Sequence, residues 1–104
     1  MRRRADRPLQ RMRARLLYGP GAVAPALRQA AFSGGPMPAS LAVLVDKIRC
    51  RAYQVTDRDV AEALAAGWTE SQLFELTVAA AAGAGFQRLD LVDRLLDGRP
   101  GELP

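Results

Sequence analysis

The chain has 104 residues, enough for one domain with a single core, and 49% of them are hydrophobic while only 6% are aromatic. Its formal charge of +4 is uneven: residues 1–15 carry seven Arg against one Asp, which leaves the remainder slightly acidic. With no His and one cysteine, Cys50, the chain excludes an intramolecular disulfide, a Cys/His zinc site, a Cys–His dyad and a Ser–His–Asp triad.

Abundant Ala and sparse strand signals predict an all-α class with closely spaced helices. Residues 1–35 read as a basic, partly flexible N-terminal arm with short helices. Within it, residues 1–8 read as disordered, and a short amphipathic helix follows over Leu9–Leu17. Tyr18-Gly-Pro-Gly breaks that helix. Pro25 suits the first turn of the next one, with Leu27, Ala30, Ala31 and Phe32 behind it. Arg2, Arg3, Arg4, Arg7 and Arg11 are the candidates for contact with nucleic acid, anionic lipid or an acidic surface; a solvated tail is the plainer reading. Ser33-Gly34-Gly35-Pro36 is the clearest internal linker.

Residues 36–98 form the expected helical core. A helix over Ser40–Gln54 repeats Leu41, Leu44, Val45 and Ile48 at helical spacing. Thr56 caps the next helix, Asp57–Ala66, with Asp59 completing a T-x-x-D box and Val60, Ala61 and Leu64 expected inside. Gly67 stops it, and Thr69 with Gln72 forms a second capping box. The last and longest helix runs from Glu70 to about Asp97, closed by Gly98 and Pro100, ahead of a tail over 99–104. Its apolar face is expected to use Leu73, Phe74, Leu76, Val78, Leu89, Val92 and Leu95. Midway, AAAAGAG places Ala79/Gly83 and Ala81/Gly85 at four-residue spacing, which lets another helix approach closely, from this chain or from a second subunit.

From Tyr53 onward the chain resembles the small AhpD-like proteins of the carboxymuconolactone decarboxylase superfamily. The stretches AYQVTDRDV, ALAAGWTESQLFELT and AAAAGAGFQRLD carry the resemblance, with VDKIRC weakly ahead of them. It implies a compact AhpD-like helical bundle and a trimer or hexamer. Redox members carry a C-x-x-C-x-x-x-H helix before the Ala-Ala-Gly turn; its three functional positions fall here on Ala52, Val55 and Asp59. Thiol peroxidase or reductase chemistry is therefore not expected, since turnover needs an attacking thiolate and a resolving partner.

An enzyme of decarboxylase type would have to replace His by carboxylates. The candidates are Asp57 and Asp59 with Tyr53 as a hydrogen-bond donor, and Glu62 or Glu75 behind them. First-turn acids also serve the helix dipole, which is the plainer role for Asp57 and Asp59. Trp68 and Glu75 are the ligand-pocket candidates, with core packing as the alternative for Trp68. Cys50, between Arg49 and Arg51, reads as a small buried hydrophobe in preference to an activated thiol. The 52–76 stretch also fits a helix-turn-helix outline, but Glu70 and Glu75 would face DNA, so nucleic-acid contact is expected only through the arm. The expectation is an oligomeric binding or accessory protein, cytoplasmic, with no cofactor or metal. No apolar run approaches the ~20 residues of a membrane span, so insertion is not expected.

Overall fold

A computed structural model describes residues 6–97, and these form five α-helices with no strand among them. The order is α1 (Asp6–Tyr18), α2 (Pro25–Ser33), α3 (Ala39–Cys50), α4 (Asp57–Ala65) and α5 (Glu70–Asp97), with a 3-10 turn at Ala52–Gln54 between α3 and α4. The all-α class and the long C-terminal helix follow the sequence. Gly98, Pro100 and the tail lie outside the described residues, as do Arg2, Arg3 and Arg4.

The punctuation holds residue by residue. Thr56 Oγ1 accepts the Asp59 backbone N–H while the Asp59 carboxylate accepts from the Thr56 N–H, closing a capping box. Thr69 and Gln72 exchange the same pair of bonds at the start of α5. Between them Gly67 sits at φ 106°, a conformation that costs an L-residue with a Cβ about 1 kcal/mol or more.

The core gathers Leu41, Leu44 and Val45 of α3, Ala63 of α4, and Leu73, Leu76, Ala79 and Ala80 of α5. Val23 and Ala31 belong to it too. The boundary read at Gly35 thus divides residues that share one hydrophobic interior, and α2 makes the widest contact with α5. Gly83 explains how α2 comes so close: a Cβ there would fall well inside contact distance of the Phe32 carbonyl oxygen. A Phe32–Phe86 ring contact at 5.6 Å continues the seam, and the Arg13 guanidinium lies 5.4 Å from the Phe32 centroid.

Several expectations need correction. Helix α1 begins at Asp6, before the predicted Leu9. The predicted Ser40–Gln54 helix ends at Cys50, because Arg51 leaves the helical region (φ −150°, ψ 56°) and the chain turns to enter α4. In α4 the buried residue is Ala63, while Val60, Ala61 and Leu64 are exposed; so short a helix packs along one narrow strip against α3. The buried face of α5 is Leu73, Leu76, Ala79, Ala80, Gly83 and Ala84. Phe74, Val78, Leu89, Val92 and Leu95 lie outside it: the first two sit on the opposite side of the helix, and no residue of α5 beyond Ala84 is buried.

Polar ties fix the angles between helices. Lys47 of α3 pairs with Asp59 of α4 at 2.9 Å. Trp68 Nε1–H donates to Ser40 Oγ at 2.9 Å while its ring packs against the core, so Trp68 is a packing residue joining the α4–α5 turn to α3. Arg49 donates to the Ala31 and Phe32 carbonyls, in the last turn of α2, and to Gln87 Oε1 of α5. These carbonyls lack partners inside their own helix, so a cation there satisfies both hydrogen bonding and the helix dipole.

Candidate functional site

The carboxylates proposed for catalysis are placed in the first turn of α4, with Tyr53 in the preceding 3-10 turn. Tyr53 is 83% exposed and, among the described residues, bonds neither acid. Asp57 is exposed. Both Asp59 oxygens are engaged: Lys47 reaches them at 3.1 and 2.9 Å, and Thr56 bonds Oδ2 through its N–H and hydroxyl. The Lys47 hydrogen bond, with help from Thr56, holds the Asp59 carboxyl below the ordinary aspartate range. A carboxylate so stabilised as an anion is a poor proton acceptor near neutral pH.

Cys50 is exposed, which corrects the expectation of burial. It occupies the last turn of α3, with its thiol 3.9 Å from Asp46 Oδ1. The flanking arginines are committed elsewhere, Arg49 to the end of α2 and Arg51 to Asp46 at 2.9 Å. Among the described residues, no group of three or more potential ligands is placed to hold a metal ion. None of these helices is long and apolar enough to cross a membrane. Of the arm candidates, Arg11 is exposed on α1, and Arg7 lies in α1 with its side chain outside the described set.

A different cluster has the properties of a binding site. Where α1, α2 and α5 meet, a cavity of about 360 Å³ is lined by Arg15, Leu16, Arg28, Phe74, Glu75 and Val78. Arg28 is only 5% exposed, yet among the described residues no carboxylate pairs with it. Its Nη1 donates to the Leu16 carbonyl at 3.3 Å, and its buried Nε has no hydrogen-bond partner. Glu75 spends Oε2 on the Ala22 backbone N–H, which pins the loop between α1 and α2 at the cavity rim. Phe74 is 71% exposed beside it.

Of this cluster the sequence pointed to Glu75 alone. Arg28 is one Arg among many, and burial is what sets it apart. One signal was present: it is the sole charged residue of α2. With this geometry in hand, neither a family model nor a curated protein nor a solved structure matches the chain.

Proposed function

We propose that the protein is a self-associating binding or accessory protein, AhpD-like in outline and without thiol redox chemistry. The observation that carries this reading is a second apolar stripe on α5. Phe74, Val78, Ala82, Gly85, Leu89, Val92 and Leu96 recur every three or four residues. At 3.6 residues per turn they lie about half a turn away from the face buried in the core. None of them is buried, and no residue after Ala84 in α5 is buried either.

A three–four alternation is the spacing by which two helices interlock side chains along a seam. Gly85 and Ala82 sit in its middle, and a Cβ at Gly85 would meet nothing within 4 Å. The two small-residue pairs of α5 thus divide their labour: Ala79/Gly83 admits α2, and Ala81/Gly85 is open to a second copy. The missing redox positions, Ala52, Val55 and Asp59, support the non-redox half of the reading.

Light scattering of the full chain across a concentration range tests the assembly. A discrete oligomer is expected, dissociating at least ten-fold more readily in Val92→Glu, since a charge in an apolar seam costs more than ~1.4 kcal/mol. Monomer at every concentration overturns it. Hydroperoxide reductase turnover by the pure protein overturns the non-redox half.

A further inference from the structure

We infer that the cavity between α1, α2 and α5 binds a small organic monoanion, with a carboxylate held by Arg28 and Arg15 and an apolar body lying on Phe74 and Val78. This rests on the reading of the protein as a binding protein; Phe74 and Val78 also begin the apolar stripe of α5, so the ligand and a second copy compete for those two side chains.

The argument starts from Arg28. A guanidinium removed from water is retained at low cost only when an anion and hydrogen bonds compensate it. Among the described residues the compensation is one 3.3 Å bond to the Leu16 carbonyl, with Nε left without a partner. Holding the end of α1 is therefore an incomplete account of this side chain. Arg28 also lines the cavity, and a guanidinium is the group that a carboxylate meets with two parallel bonds.

The rest of the lining sets the charge and body of the ligand. Arg15 adds a second cation, and Glu75 contributes one carboxylate that already accepts from the Ala22 N–H. Two guanidinium groups against one carboxylate leave a single positive charge to balance. A monoanion does so, while the dianionic form of phosphate exceeds it and meets stronger repulsion from Glu75. The exposed ring of Phe74, with Val78 and Leu16, offers an apolar wall, and a cavity of about 360 Å³ lies at the small end of ligand sites. A short-chain or aromatic carboxylic acid matches both features.

The test is a titration of the full chain with hexanoate, followed through the Arg28 Nε–Hε resonance, with hexanol and inorganic phosphate in parallel. Saturable movement of that resonance by hexanoate is expected, with hexanol and phosphate each at least ten-fold weaker. Arg28→Met should weaken hexanoate about ten-fold or more, as loss of a charge-assisted pair does. Arg15→Gln, at an exposed position, leaves the fold intact and should weaken it several-fold, so the test does not depend on how Arg28→Met folds. Hexanol or phosphate matching hexanoate, no saturation, or full binding by Arg15→Gln overturns the proposal. Light scattering on the same samples reads assembly separately, so hexanoate binding by a monomer keeps this site and removes only the oligomer.

Discussion

The two glycines in the middle of α5 separate packing from propensity at the scale of a single methyl group. Gly83 faces the Phe32 carbonyl, a backbone atom that cannot rotate away. Gly83→Ala should therefore lower unfolding stability by about 2–3 kcal/mol through overpacking. Gly85, with open space around it, should gain about 0.5–1 kcal/mol as Ala in dilute solution, because the unfolded chain loses freedom. Equal effects of both in denaturant titrations would contradict the α2–α5 seam. Asp59 supplies a pH signature at the same scale. Its pKa is lowered chiefly by Lys47, so the ionised side chain favours the folded state above the unfolded aspartate value of about 3.9. That contribution is lost as pH falls through the lowered folded value. Wild type should melt above Asp59→Asn at neutral pH, and the gap should close as pH drops below about 4. A gap independent of pH would remove the ion pair from the account.

At the scale of elements, α2 shows how a nine-residue helix is held without a side-chain N-cap. Its start uses Pro25, whose missing N–H is one the first turn would leave unbonded anyway. Its end is held from outside: Arg49 bonds two terminal carbonyls, and Gln87 Nε2 donates to the Ser33 carbonyl at 3.3 Å. Arg49→Ala strands acceptors on the buried residues Ala31 and Phe32 and should cost about 2–3 kcal/mol. Lys should restore only part of this, because a single ammonium cannot span the three acceptors of the guanidinium fork. Urea melts of the two variants decide it; full rescue by Lys would reduce Arg49 to a point charge. The capping boxes of α4 and α5 were legible because each is a local pattern of four residues. The Arg49 cap was not, since its partners lie 17 and 18 residues away in the chain.

For the whole molecule, the point that residue spacing leaves open is where α2 packs. A Pro/Gly-rich connection at residues 33–36 looks like a boundary, yet Val23, Leu27 and Ala31 pack in or against the same interior as Leu41 and Leu76. Deleting residues 1–35 would uncover the Gly83 face of α5 and remove the helix in widest contact with it. The remainder should keep helical circular dichroism but lose its cooperative thermal transition, as a chain whose core has lost one wall does. A sharp transition in that truncation would restore the arm-and-core division.

What the sequence by itself determined is what local chemistry determines. Helix class, the Thr56 and Thr69 starts, the Gly67 stop and the absence of a thiol pair depend on residues within four positions of one another, or on composition. The tertiary structure decided which face of α5 turns inward, since two apolar stripes share that helix and the packing of α2 and α3 chooses between them. It also decided the candidate site. Arg28, Arg15 and Glu75 belong to three different helices, and the burial of an arginine is visible only once its neighbours have taken the water away.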